Sequence, residues 1–369
     1  MRYYIVAGEA SGDLHGSNLI RALHKYDPKA DIRCWGGDRM EAAGARLVKH
    51  YRDLAFMGFV EVLLHLKTIF KNITFCKEDI TAYKPDVLVL IDYPGFNLRI
   101  AEWAKKQGIK VVYYISPQVW AWKENRVHNI KRDVDKMLVI LPFEVEFYRK
   151  WNFEAQYVGH PLIEVVSLEK KEVPVERISD MPIIAVLPGS RSQEIKAKLP
   201  VMLQMVKHFP QYRFVVAQAQ SQPDSLYKDI IGDEKVLLVK NKTYNLLKQA
   251  SAALVTSGTA TLETALFGVP QVVCYKGNPI SYWLATKLVK VKYISLVNLI
   301  MDKPVVTELI QGGLTEKTLK ESLDKLLNDA TYKRQLKEDY DVLWHRLGDK
   351  NASELAAKEI IALVAKDPN

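Results

Sequence analysis

The chain has 369 residues, 48% hydrophobic and 26% charged, the balance of an ordinary globular protein with enough length for two cores of about 100–200 residues each. Its 52 Lys and Arg outnumber 43 Asp and Glu, for a formal net charge of +9, which favours anionic partners such as nucleic acid, anionic lipid or phosphorylated substrates. Three cysteines (Cys34, Cys76, Cys274), with no CxxC and no His pairing, exclude a disulfide framework and a zinc site and fit a reducing compartment.

The N-terminal "MRYYIVAGEASGD" runs straight into a strand with no signal-peptide core. No apolar run reaches the roughly 18 uncharged residues of a spanning helix, so the expected location is the cytoplasm. "RYYIVAG", "DIRCWGG", "DVLVLID", "KVVYYIS" and "KMLVILP" are short β-branched and aromatic runs, each followed by a turn and an amphipathic stretch. A second series follows in "PIIAVLPGS", "RFVVAQA", "KVLLVK", "AALVTSG" and "QVVCYKG". That alternation predicts α/β architecture with two doubly wound parallel sheets and a ligand crevice at the carboxyl ends of the strands. The expected divisions are an acceptor-side domain over 1–163, a charged, Pro-containing linker over 164–182, and a second domain over 183–369 ending in helices.

The first turn, "VAGEASGDLHG" (6–16), packs Gly8, Gly12 and Gly16 around Glu9 and Asp13. It lacks GxGxxG spacing, and its carboxylates would repel a phosphate, so it is not a dinucleotide fingerprint. It reads as the floor of a sugar site, in which Ser11, Gly12 and Asp13 meet the substrate and Glu9 orients it or shares its proton. Helix capping by Ser11 or Asp13 reads nearly as well.

"VLVLIDYPGFNL" leaves Asp92 at the end of an apolar strand, where partial desolvation makes a carboxylate a better base. A capping acid is the competing reading. "DVD" (133–135) precedes a strand, away from the ligand edge, and reads as a solvated loop; no metal is expected. His160 in "VGHP" reads as packing at the domain junction.

In the second series, Ser257, Gly258 and Thr259 open a helix directly after a strand, presenting N–H groups and the helix dipole to an anion. Glu263, one turn on, reaches a sugar hydroxyl, and "PGSR" adds Ser190 and the Arg191 guanidinium. A phosphate at the helix end with a carboxylate beyond it describes a bound nucleoside diphosphate. "FMGFVEVLLHLKTIFKNITF" (Phe59, Leu63, Leu66, Phe70, Ile73, with Lys67 and Lys71) and "ISYWLATKLVKVKYISL" (Trp283, Leu288, with Lys287, Lys290, Lys292) mix apolar faces with cations. They read either as core or as an interfacial surface for anionic membrane.

"SGTATLETALFGVPQVV" resembles the nucleotide-binding segment of GT-B glycosyltransferases, whose two Rossmann-like domains face a central cleft. The ordered set "VAGEASGDLHG", "FMGFVEVL", "KPDVLVLIDYPGFNL", "YYISPQVWAW", "LPFE", "YVGHP", "LPGSR", "SGTATLE" and "YISLVNLI" is similar to the lipid A disaccharide synthase family over nearly the whole chain. The resemblance implies inverting transfer from UDP-2,3-diacylglucosamine to the 6-hydroxyl of 2,3-diacylglucosamine 1-phosphate, giving a β-1,6-linked disaccharide phosphate and UDP, with no cofactor. It implies Asp92 as base and Asn298 at the active site. Gln118, Trp120 and Trp122 would line the acceptor cleft, and Thr261 would join the donor residues.

The enzyme would sit peripherally on the inner membrane. Nucleic-acid binding is not expected, and the oligomeric state is not readable. Two alternatives stay open on the residues: a GT-B enzyme on a soluble UDP-sugar, such as a UDP-N-acetylglucosamine 2-epimerase, and a non-catalytic UDP-sugar-binding regulator.

Overall fold

The computed structural model describes residues 1–54, 66–171, 176–278, 282, 291–348 and 351–365. The chain divides into two compact units, one made of Met1–Pro161 with Asp349–Asn369 and the other of Leu162–Gly348.

Unit 1 holds seven strands: β1 (Arg2–Ala7), β2 (Asp31–Gly36), β3 (Arg46–His50), β4 (Val87–Ile91), β5 (Lys110–Tyr114), β6 (Lys136–Val139) and β7 (Ala155–Tyr157). They are ordered 3-2-1-4-5-6-7, and every neighbouring pair is parallel. Parallel strands need crossovers that cover both faces, so the central strands are apolar on both sides. In β1 and β4, Tyr4, Val6, Leu88 and Leu90 enter one core, and Tyr3, Ile5, Val87 and Val89 the other.

Unit 2 holds β8 (Ile183–Leu187), β9 (Arg213–Gln218), β10 (Leu237–Lys240), β11 (Ala250–Thr256), β12 (Gln271–Tyr275) and β13 (Thr307–Ile310), in the order 10-9-8-11-12-13. These pairs are also all parallel. In each sheet the strand order reverses once, between β1 and β4 and between β8 and β11. A doubly wound sheet opens its ligand crevice at that reversal.

Two features differ from the expected layout. The proposed linker begins inside a helix, Pro161–Lys171, that belongs to unit 2. The chain end returns to unit 1, where Ala352–Ala365 packs on Ala10–Tyr26: Ala356, Ala357 and Ile360 join the core of Leu19, Ile20 and Leu23. The return is driven by the small, apolar face of that helix and fixed by Glu354, which accepts from Lys25 Nζ (2.7 Å) and Tyr26 Oη (2.6 Å).

All three cysteines are buried thiols. Asp133 and Asp135 lie just before β6; Asp133 is paired with Arg132, and Asp135 with Lys105 and the Val111 N–H. Among the described residues no helix is long and apolar enough to cross a membrane.

Candidate active site

At the β8/β11 reversal a cavity of about 410 Å³ is lined by Ser190, Arg191, Ser257, Gly258, Thr259 and Glu263, among others. Both turns that form it rest on glycines in left-handed backbone, Gly189 at φ 119° and Gly258 at φ 135°, a region L side chains avoid. Gly258 starts helix Thr259–Leu266 with no side-chain cap, so its first N–H groups are available to an anion.

Arg191 opens helix Ser192–Leu203 and pairs with Glu194 at 3.3 Å. Burial raises the pKa of Glu263, and the Tyr244 hydroxyl, donating to it at 2.8 Å, partly offsets that. Ser257 Oγ donates to the Ile294 carbonyl (2.8 Å).

Thr261 and Asn298 sit behind this surface. Thr261 is fully buried and bonds the Gly258 carbonyl at 2.8 Å, bracing the helix turn from within. Asn298 is buried and doubly tied to Val306, its Nδ2 donating to the carbonyl and its Oδ1 accepting the N–H, both at 2.9 Å; Nδ2 also donates to Glu308 (2.9 Å). Glu308 in turn accepts from Ile294 N and Ser295 N. The amide therefore holds the 294–298 loop that meets Ser257.

Lys198 is the residue that sequence reasoning missed. It is 2% exposed, its ammonium donates to Thr256 Oγ1, and it lies 6.0 Å from the Tyr275 ring centroid. Burial lowers its pKa; Glu194 and Cys274 oppose that shift and Arg191 adds to it. The signal was available: Ile195, Leu199 and Met202 form the buried helix face, and Lys198 occupies the same spacing.

At the β1/β4 reversal, Ala7 is paired with Ile91, so Gly8–Glu9 and Asp92 leave the sheet side by side. Asp92 and Tyr93 have φ of 45° and 49°, and Ile115, just past β5, has 65°. Three non-glycine residues in left-handed backbone at one sheet edge mark stored strain. The Asp92 carbonyl accepts from Tyr113 Oη (2.5 Å) and Asn97 Nδ2 (2.8 Å). Burial first, then the Glu9 charge, pushes the Asp92 carboxyl up to about 6.

The glycines of the first turn serve packing. A Cβ on Gly8 would lie 2.3 Å from the Tyr93 ring, and one on Gly12 3.0 Å from Ala7 Cβ. Asp13 is buried and caps the next short helix, Asp38–Ala42, accepting from Gly37 N (2.8 Å), Met40 N (3.1 Å) and Arg39 N (3.3 Å). That role leaves its carboxylate committed to the loop instead of a sugar. Ser11 is exposed and Glu9 half-buried at the same turn.

Gln118 is exposed. Trp120 turns inward, its indole N–H donating to buried Glu144 at 3.1 Å; burial pushes the Glu144 carboxyl up to about 7. His160 is buried near His15, and burial, then the neighbouring ring, lowers its pKa to about 3, so it stays neutral.

Two doubly wound parallel units, the second with a cavity at its strand-order reversal, have the architecture of the GT-B class. Solved structures agree on the fold. The glycotransferase of kitacinnamycin matches with a TM-score of 0.69 at 14% identity, covering 98% of this chain and 99% of that one. UDP-GlcNAc 2-epimerase from Neisseria meningitidis, bound to UDP-GlcNAc, matches with a TM-score of 0.68 at 14% identity over 100% of both chains. The family model described as lipid-A-disaccharide synthetase matches residues 3–360. A lipid-A-disaccharide synthase of Syntrophus aciditrophicus (strain SB) is 39% identical over 98% of this chain and 97% of that protein. The chain belongs to the lipid-A-disaccharide synthetase family, and is a glycosyltransferase that forms the lipid A disaccharide from lipid A precursor sugars.

Proposed function

We propose that the enzyme joins UDP-2,3-diacylglucosamine to the 6-hydroxyl of 2,3-diacylglucosamine 1-phosphate with inversion, releasing UDP. The donor nucleotide belongs to unit 2: Glu263 takes a ribose hydroxyl, and the N–H groups at Thr259 receive the diphosphate together with Ser190, Ser257 and Arg191. The acceptor belongs to unit 1, at the mouth formed by Glu9, Ser11 and Asp92. Asp92 takes the proton of the attacking hydroxyl as the new bond forms at the anomeric carbon, and the bond to UDP breaks on the opposite face. Charge developing on the diphosphate is met by dipoles and a cation already in place.

The observation that carries this reading is Asp92 itself, a desolvated carboxylate on left-handed backbone at the strand-order reversal of unit 1. With a pKa near 6 it is mostly ionised at neutral pH, yet more basic than a surface acid.

Mass analysis and proton NMR of the product, with both acylated substrates supplied, test the reaction. A β-linked disaccharide phosphate is expected. Asp92→Asn keeps the shape without the basic oxygen and is expected to lower turnover about 10²–10⁴-fold, while calorimetric UDP affinity stays unchanged. Near-normal turnover in the folded variant would remove Asp92 as base.

We further propose that the enzyme works peripherally at an anionic membrane. Phe70 is 58% exposed on helix Leu66–Tyr83, between exposed Lys67 and Lys71. Phe59, Leu63, Trp283, Lys287, Leu288 and Lys290 lie outside the described residues.

A further inference from the structure

The short segment after β5 carries an exposed indole beside two cations. Trp122 is 46% exposed, Lys123 Nζ lies 4.2 Å from its ring centroid, and Arg126 Cζ lies 5.7 Å from it. Elsewhere in unit 1, Lys105 pairs with Asp135 and Arg132 with Asp133. Among the described residues neither Lys123 nor Arg126 is in an ion pair. They repel one another instead: burial, then the Arg126 charge, holds the Lys123 amine below its usual range.

Such a like-charged pair is costly unless something anionic joins it. The segment is also held in place. Lys123 N donates to the Val119 carbonyl (3.1 Å) and Arg126 N to the Lys123 carbonyl (3.0 Å), while buried Glu144 pins Trp120. The Arg126 charge reaches the buried Tyr113 hydroxyl, which donates to the Asp92 carbonyl. Tyr114 of β5 is paired with Ile91 of β4, and Asp92 N donates to the Ile115 carbonyl (3.3 Å), so the segment that carries the cations leaves the sheet beside Asp92, whose carboxyl also feels the Glu9 charge.

We propose that Lys123 and Arg126, backed by the Trp122 ring, form a phosphomonoester subsite for the acceptor. The subsite rests on the reading of unit 1 as the acceptor half. Phosphate held by the cations turns the far end of the sugar, with its free hydroxyl, toward Asp92. A dianionic ester makes charge-assisted hydrogen bonds with both side chains, and the ring excludes water beside them.

The test compares the wild type with a Lys123→Met/Arg126→Met double variant on two acceptors, 2,3-diacylglucosamine 1-phosphate and the same sugar without phosphate. Met keeps most of each apolar stem, and circular dichroism with UDP titration checks the fold. The double variant is expected to raise KM for the phosphorylated acceptor about 10- to 100-fold and leave KM for the unphosphorylated one unchanged. An unchanged KM for the phosphorylated acceptor overturns the subsite. If binding to phosphatidylglycerol vesicles falls while that KM holds, the patch is a lipid contact and the subsite is equally overturned. If the wild type makes no disaccharide from either acceptor, the proposed reaction fails on its own. In that event ³¹P NMR titration with glucosamine 1-phosphate decides: line broadening lost in the double variant supports the subsite, and equal broadening in both proteins rejects it.

Discussion

Asp92 combines two demands that conflict. A general base must be ionised, yet burial and Glu9 both favour its protonated form and push its pKa up to about 6. The sign for activity follows directly: the rate rises with pH as Asp92 loses its proton, with a midpoint near 6 in kcat/KM. Glu9→Gln removes the neighbouring charge but not the burial, so the midpoint should move down while staying above the ordinary carboxylate range. A pH–rate profile measures it, and an unmoved midpoint would uncouple the two residues.

Stability has the opposite sign. A carboxyl whose folded pKa exceeds its model value of 3.8 weakens the fold progressively from about pH 4 to 6, and the loss is complete above that window. Asp92→Asn should therefore melt higher than the wild type at pH 7.5 and lose that advantage near pH 4. The role of Asp92 was open to reading because a charge ending the run "VLVLI" is conspicuous. Asp13 misled, because a carboxylate among glycines in sequence does not show which backbone N–H groups will surround it; its partners lie 24 to 27 residues away.

Among the elements, ten strands were legible from their apolar runs, the edge strand β10 ("LLVK") among them, and the other three edge strands were not. β3 ("RLVKH"), β7 ("AQY") and β13 ("TELI") each pair on one side only and are mostly half-exposed, so their sequences carry neither an apolar run nor clean alternation. The turns after β8 and β11 were legible because glycine, serine and a cation at a strand end have few other uses. Lys198 beneath them was legible only through helical spacing: of the two lysines in "SQEIKAKLPVML", Lys198 alone falls on the face of Ile195, Leu199 and Met202.

Helix Leu66–Tyr83 was expected to place Phe70 and Ile73 on one face, but they part: Phe70 is exposed and Ile73 is 6% exposed within the core. Only the former is free to meet lipid. Phe70→Ser should accordingly weaken co-sedimentation with anionic vesicles while leaving the melting temperature unchanged, since it removes no buried contact. An unchanged sedimented fraction would take this face out of the membrane proposal; a falling melting temperature would return the ring to the core.

At the scale of the molecule, the last described helix belongs with the first. Ile360 is fully buried against Ala10–Tyr26, so Ile360→Ala should cost unit 1 about 2–5 kcal/mol and leave UDP affinity in unit 2 untouched. Hydrogen exchange followed segment by segment reads this: faster exchange confined to β1, β4 and the helix between β1 and β2 is expected, and an equal rise in β8 and β11 would overturn the assignment. Composition could not reveal the return of this helix, because an apolar face specifies that it must be covered without saying by which sheet.

The same return imposes a timetable on synthesis. Unit 2 is continuous in the chain and has all its parts once Gly348 has emerged, whereas unit 1, though begun first, lacks one wall until Ala352–Ala365 follows. At about 5–20 residues per second, the roughly 200 residues between leave the flank of Ala10–Tyr26 uncovered on the ribosome for about 10–40 s. During that interval Leu19, Ile20 and Leu23 present an apolar stripe, so the half that leaves the ribosome first is the half that finishes last.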